Sequence, residues 1–528
     1  MTVSIDLTQI IKAYDVRGLV ASELSPDVAE AIGAAFARVV VIPDFESRYG
    51  KAAADAPAVP QRPQVVIGND MRDSGPALVA AFTKGLTDAG VDVTKIGLCS
   101  TDGLYFAAAS RDIPGAMFTA SHNPAEYNGI KMCYPGAKPV GEASGLKEIR
   151  ELAQTFLDGG LPAPIAADQQ GHVTTVDDLP NYAQFLRGLV DLRQIRPLKV
   201  VIDAGNGMGG YTAPAVLGTE AGLKALPLDL VPLYWELDGS FPNHEANPLD
   251  PANLVDLQKA VVENGADLGL AFDGDADRCF VVDEKGNPVP PSVITILVGL
   301  RELARAKAGG GQASAASSSE KEPKKEPDKE PDKEPQPTLI YNLISSKAVP
   351  ERFQAAGAQV VRTRVGHSFI KAQMAQHDAV FGGEHSGHYY FRDFWFADSG
   401  MLAALHVLAA LGSQNRPLSE LAAQYQPYVQ SGEINSRVSD VNVVRDRVVA
   451  AMQAAHPDVT VDDLDGVTVS LWKDAPESNT QLSGGKWWFN LRGSNTEPLL
   501  RLNVEATDPK TMAAVRDQVL NLIKQLDA

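Results

Sequence analysis

A chain of 528 residues with 44% hydrophobic content is too long for one core and, at about 100–200 residues per domain, predicts three to five domains. The net charge of −19 excludes a nucleic-acid partner, which needs a broad basic footprint, and the lack of a long unbroken apolar run excludes a membrane span. A small phosphorylated ligand stays compatible, because it needs only a local pocket of Arg, Lys and backbone amides.

From the N-terminus, Met1-Thr-Val-Ser-Ile-Asp-Leu has neither a basic n-region nor an apolar h-region, so the expected location is the cytoplasm. Cys99, Cys133 and Cys279 lack metal-ligand spacing and read as buried, reduced thiols. Short β-branched runs alternate with Ala/Leu-rich helical stretches. Strands are expected at Val65–Gly68, Leu198–Asp203, Leu268–Phe272 and Leu339–Asn342. Helices are expected at Ala77–Ala89, Leu254–Asn264, Ile294–Lys307 and Met401–Leu411. This alternation predicts α/β architecture. The last hundred residues, with helices at Val441–His456 and Pro509–Leu526 around strands at Gly466–Leu471, Trp487–Leu491 and Leu499–Ala506, predict a compact α+β tail domain. Residues 309–337 contain repeated Lys-Glu-Pro and nothing apolar to bury, which predicts a solvated, partly polyproline II insert. The Ala- and Pro-rich stretch Asp44–Arg62 reads as a second insertion of the same kind.

Four polar runs carry chemistry. In Thr119-Ala120-Ser121-His122-Asn123-Pro124, continuing to Gly129-Ile130-Lys131, a serine on a turn serves equally as a cap or as a nucleophile. Phosphorylated, it would carry about −1.5 to −2 charges, and His122 and Lys131 are close in sequence to offset them. In Asp273-Gly274-Asp275-Ala276-Asp277-Arg278, alternate carboxylates between two apolar runs suit Mg²⁺. An EF-hand would need glycine where Arg278 stands and helices where strands are expected. In Gly382-Gly383-Glu384-His385-Ser386-Gly387-His388, Glu384 and Ser386 can bind sugar hydroxyls and His388 can move a proton. His367 follows Gly366 on a neighbouring basic run. Arg492-Gly493-Ser494-Asn495-Thr496-Glu497-Pro498 reads either as a hairpin turn or as a phosphate cradle.

In this order, and with Ala13-Tyr14-Asp15-Val16-Arg17-Gly18 at the start, the runs resemble the α-D-phosphohexomutase family, in its bacterial phosphomannomutase/phosphoglucomutase branch. The resemblance implies three related α/β domains and a smaller α+β C-terminal domain around a central cleft, here 1–170, 171–287, 288–428 and 429–528. It implies a phosphoserine at Ser121 and one Mg²⁺ per chain on Ser121, Asp273, Asp275 and Asp277. Arg17, His122, Lys131, Arg278, His367 and His388 would line the reacting centre, with Lys131, His367 and His388 all open as the base. Glu384 and Ser386 would bind the sugar, Arg492, Ser494, Asn495 and Thr496 the distal phosphate, and Tyr14 would stand at the cleft entrance. A hexose 1,6-bisphosphate would act as intermediate and activator, the partners being hexose phosphates only, and the chain a monomer or weak dimer. Gly493, Ile344, Ser100-Thr101-Asp102 and His385 depart from the family's usual pattern, which leaves the preferred hexose open. A phosphoglucosamine mutase, a phosphatase and a catalytically silent phosphosugar-binding protein are the rival readings.

Overall fold

The computed structural model describes residues 5–50, 60–309, 336–472, 485–493 and 499–527. Among these, four sheets form. The first has seven strands. Its centre is parallel: Gln64–Asn69 lies between Asp92–Leu98 and Gly115–Phe118, and the antiparallel strand Tyr127–Tyr134 follows. The second sheet sets Leu198–Asp203 parallel to Leu228–Leu233 and Leu268–Phe272, then adds Cys279–Asp283 antiparallel. The third repeats the plan with Thr338–Asn342 parallel to Gln359–Thr363 and Phe381–Gly383, followed by antiparallel Tyr389–Phe391. The fourth sheet is antiparallel throughout. Three mixed α/β sheets and a C-terminal antiparallel one match the expected fold class.

One device recurs in the first three sheets. A parallel strand ends, a short loop turns, and the next strand returns antiparallel beside it. The loops are those after Phe118, Phe272 and Gly383. They therefore emerge at the C-terminal ends of parallel strands, where open α/β sheets place their ligands. In the fourth sheet the successive strands Trp487–Gly493 and Leu499–Ala506 also pair antiparallel.

Strand runs such as Leu268–Phe272 and Cys279–Asp283 are buried at every position, as strands covered on both faces require. A continuous apolar cluster runs from helix Thr101–Arg111 through the second and third sheets to helix Gly400–Gly412. It leaves those units little freedom to part. The outer face of the first sheet has its own core, with Phe82 between Phe36 and Phe118. The C-terminal unit packs Trp487 and Phe489 under helices Val441–Ala455 and Pro509–Leu526. Asp440 and Asp508 cap these helices by accepting backbone N–H bonds.

Part of the expected insertion Asp44–Arg62 is helical instead. Helix Ile42–Tyr49 continues the preceding helix, with Phe45 and Tyr49 in ring contact. Amphipathic spacing before the Ala/Pro stretch overrides its composition there. Residues 51–59 and 310–335, the body of the Lys-Glu-Pro repeat, lie outside the described residues. The latter connect helix Pro291–Lys307 to the N-terminal end of Thr338–Asn342. No helix among the described residues is long and apolar enough to cross a membrane.

Candidate active site

Ser121 lies on the first loop with φ at 51°, in the left-handed region that a non-glycine residue rarely adopts. Its N–H is held by Thr119 Oγ1 at 2.8 Å, and its hydroxyl donates to Asp273 Oδ2 at 2.8 Å. The two loops meet without a gap. A Cβ on Gly274 would fall 2.4 Å from the Ser121 carbonyl oxygen, so glycine is the residue that fits.

Asp273, Asp275 and Asp277 are fully buried and bring one oxygen each within 4.8 Å of the others. Lys131 Nζ reaches Asp275 and Asp277, both at 2.7 Å. Burial opposes its charge, yet the two aspartates hold the ammonium well above its ordinary value. Burial and then the neighbouring Asp277 and Asp275 push Asp273 well above the carboxylate range. Against burial, Lys131, His388 and Arg278 hold Asp277 well below it. Asp275 Oδ1 and Asp277 Oδ1 are buried with no hydrogen-bond partner among the described residues. Three converging carboxylates with orphaned oxygens fit a hard divalent cation.

Arg278 joins three loops. Its Nη2 is 3.1 Å from His122 Nδ1, and its Nε is 3.2 Å from His388 Nε2 and 3.3 Å from Asp273 Oδ2. The backbone repeats the link, with Cys279 N donating to the Gly387 carbonyl at 3.2 Å. His388 Nδ1 is 2.9 Å from Ser386 Oγ, and its Nε2 is 3.5 Å from Asp277 Oδ1. Glu384 accepts from the Gly366 N–H at 3.0 Å and from the Tyr390 hydroxyl at 2.8 Å. Burial first, and then Arg278 and Arg17, hold His122 neutral well below its usual range. Arg17 pairs with Asp15 and bonds Asn123 Oδ1, both at 2.7 Å, at the far end of the serine loop.

Two expected residues stand together at one side. The Tyr14 ring is 5.3 Å from that of His367, and burial, then Lys371, lowers His367 to about 4. Arg492 lies within the strand Trp487–Gly493 rather than in the turn. Among the described residues its nearest anion is Glu433 at 3.8 Å, and its Nε is buried without a partner. Ser494, Asn495 and Thr496 lie outside the described residues.

The sequence reading missed several groups. Thr101 donates from Oγ1 to Asp275 Oδ2 at 2.6 Å, and its N–H reaches the Asp275 carbonyl at 3.0 Å. Asp102 beside it, pushed up to about 6 by burial, accepts from Ser100, Ser399 and Tyr182, the last at 2.7 Å. It ties the first and third sheet units and the helix Leu179–Leu189 together. Lys371 and Asp398 form a buried pair at 2.6 Å over the Tyr105 ring. The position of Thr101 just past the parallel strand Asp92–Leu98 was the available signal for it. The departure at Ser100-Thr101-Asp102 from the family's pattern was the signal for Asp102; Lys371 and Asp398 have none in sequence.

Four domain models of phosphoglucomutase/phosphomannomutase match in order. These are α/β/α domains I, II and III at residues 8–156, 180–286 and 323–428, and the C-terminal domain at 433–522. The chain belongs to the α-D-phosphohexomutase family. It is thus a phosphohexomutase-family enzyme, an intramolecular phosphotransferase. A phosphomannomutase of Salmonella typhimurium is 37% identical, with 97% of this chain and 98% of that protein covered. A protein of Xanthomonas campestris named for phosphohexose mutases is 36% identical, with 97% and 98% covered. Among solved structures, a phosphoglucomutase/phosphomannomutase family protein of Burkholderia thailandensis superimposes with a TM-score of 0.74 at 28% identity, covering 98% of each chain. An Aspergillus fumigatus N-acetylphosphoglucosamine mutase, solved with GlcNAc-6P and magnesium, shares the fold at TM-score 0.53 and 15% identity, covering 81% of this phosphohexomutase and 91% of that chain.

Proposed function

We propose that this phosphohexomutase interconverts hexose 1-phosphate and hexose 6-phosphate through phospho-Ser121 and a hexose 1,6-bisphosphate, with mannose and glucose phosphates as substrates. The observation that carries this reading is the Ser121 hydroxyl, held in a left-handed turn and hydrogen-bonded at 2.8 Å to one of three converging carboxylates. The names of the curated relatives favour mannose phosphate. A silent binder has no use for a nucleophile so placed.

In the first half-reaction a sugar hydroxyl oxygen attacks phosphorus and the bond to Ser121 Oγ breaks. Lys131 and Arg278 are placed to offset the charge on the transferring group. We assign the hydroxyl proton to His388, whose ring joins Ser386 to the aspartate loop. His367 instead packs on Tyr14. Glu384 and Ser386 hold sugar hydroxyls, and Arg492 with Ser494, Asn495 and Thr496 holds the phosphate that is not transferred. After the bisphosphate turns over, Ser121 Oγ attacks the other phosphorus, the bond to the sugar oxygen breaks, and that oxygen takes the proton from His388. Asp273, Asp275 and Asp277, with the Ser121 phosphate, would hold Mg²⁺, which when bound neutralises phosphoryl oxygens; the magnesium in the Aspergillus relative supports that choice of ion. The three buried free cysteines fit a cytoplasmic enzyme.

The test is intact-protein mass with a coupled mutase assay. Wild type should show a phosphate-sized increment that Ser121→Ala lacks, with turnover falling on the order of 10³-fold or more. An alanine variant with full activity overturns the reading. Relative turnover of mannose, glucose and glucosamine 1-phosphates separates this enzyme from a phosphoglucosamine mutase.

A further inference from the structure

Arg72 is almost completely buried and touches none of the groups assigned to the reaction through their side chains. Its guanidinium instead faces the back of the serine loop. Nη2 donates to the carbonyls of Ser121 and Asn123, at 3.0 and 2.6 Å. Nη1 donates to those of Pro124 and Tyr127, at 2.7 and 2.9 Å. Nε donates to Asp70 Oδ2 at 3.3 Å, and Asp70 Oδ1 accepts the Arg72 N–H at 3.1 Å. All five guanidinium N–H groups are therefore engaged, four of them by carbonyls of one loop. Only arginine carries such a planar five-donor fork.

The arrangement bears on Ser121 in two ways. A left-handed serine is held against its own preference, so something must fix it; its carbonyl is gripped directly. In a trans peptide the C=O and the next N–H point oppositely, and no cis bond occurs among the described residues. Turning the Ser121 carbonyl to Arg72 therefore turns the His122 N–H away from Arg72. The second sheet unit covers the same guanidinium. The Phe241 ring lies 5.2 Å from it, and a Cβ on Gly239 would fall 2.8 Å from Arg72 Cα. The connection that carries Phe241 also carries Asn243, bonded to Asn206 at 2.8 Å, and Ala246, against Gly274. One segment thus braces both the serine loop and the aspartate loop from behind.

We infer that Arg72 is a positioning residue for phosphoryl transfer. It holds the Ser121 loop in the form that presents the hydroxyl to the aspartate loop, and Phe241 keeps it seated. The inference rests on Ser121 being the phosphoryl carrier, as proposed above.

The experiment uses the full chain with Mg²⁺ and compares wild type with Arg72→Lys and Phe241→Ala. It measures phosphoryl uptake onto Ser121 of protein first dephosphorylated, from glucose 1,6-bisphosphate by quenched intact mass, together with steady-state kcat and KM for glucose 1-phosphate, and thermal unfolding. Arg72→Lys should slow uptake and kcat on the order of 100-fold with KM within about threefold, since carriage of the group is impaired and sugar binding is not. Phe241→Ala leaves every Arg72 bond in place and should slow both by about fivefold without altering KM. If Arg72→Lys does not fold, the Phe241→Ala rates decide. Uptake at the wild-type rate in a folded variant of either kind overturns the inference. Absence of uptake in dephosphorylated wild type overturns the phosphoserine reading instead.

Discussion

The cations of the serine–aspartate junction and the cation of the C-terminal sheet are treated differently. Lys131 and Arg278 are committed to protein partners, with Lys131 on two carboxylates and Arg278 on the Asp273 carboxylate and two imidazoles. Among the described residues Arg492 keeps a buried Nε without a partner and has its closest anion 3.8 Å away. The C-terminal unit meets the third sheet elsewhere, through Arg362 with Asp462, the Val365 N–H on Asp465, and Ser346 and the Lys347 N–H on buried Glu505. Committed cations hold a charge pattern fixed in place for the reaction. A cation with a free donor is shaped for an anion that arrives with the ligand.

Breaking the committed side should cost most. Asp275→Ala removes the partner of both Thr101 and Lys131. Turnover should fall on the order of 10³-fold or more and no longer respond to Mg²⁺ titration. Unchanged activity in chelator would reject a metal role for the aspartates. Arg492→Ala probes the other side. KM for the hexose phosphate should rise on the order of tenfold, about 1.4 kcal/mol, with kcat within about threefold. An equal fall in kcat at constant KM would place Arg492 with the reacting groups. The smallest effect concerns His367. Its pKa in the fold is about 4 against an ordinary value near 6.5. The folded state therefore binds this proton less readily than the unfolded one. The stability it contributes is present above the ordinary value and is lost as pH falls towards 4. Between pH 7 and 5 wild type should lose roughly 2 kcal/mol more than His367→Gln in denaturant melts. Parallel losses would show that Lys371, Asp398, Lys131 and Asp15, the charged groups around it, set the acid response instead.

Fold and chemistry were legible to different depths. Leu198–Asp203, Leu268–Phe272 and Leu499–Ala506 form strands with the expected bounds, because an apolar run closed by Asp, Gly or Thr leaves little freedom in where it ends. The aspartate run was readable because three carboxylates crowded between apolar strands repel one another and need a cation. The serine run, equally a cap or a nucleophile by itself, became readable through the order of the four runs. Arg72 was not, since it bonds to carbonyls, which every residue owns, and its partners lie 49–55 positions away. Asp102 stood out only as a departure from the family's pattern, and its bond to Ser399, 297 positions away, was not readable from so great a separation. The left-handed turn at Ser121 is imposed by such contacts and not by any local preference of serine.

Parallel strands give a sheet two unlike ends, and in the third sheet they hold different things. The loop Glu384–His388 follows the C-terminal end of Phe381–Gly383, whereas residues 310–335 join the chain before the N-terminal end of its parallel neighbour Thr338–Asn342. The connection therefore attaches at the end opposite the sugar loop, with the length of the sheet between them. In the laboratory the same stretch is the natural place to graft an epitope, a fluorophore or a surface tether onto a working enzyme.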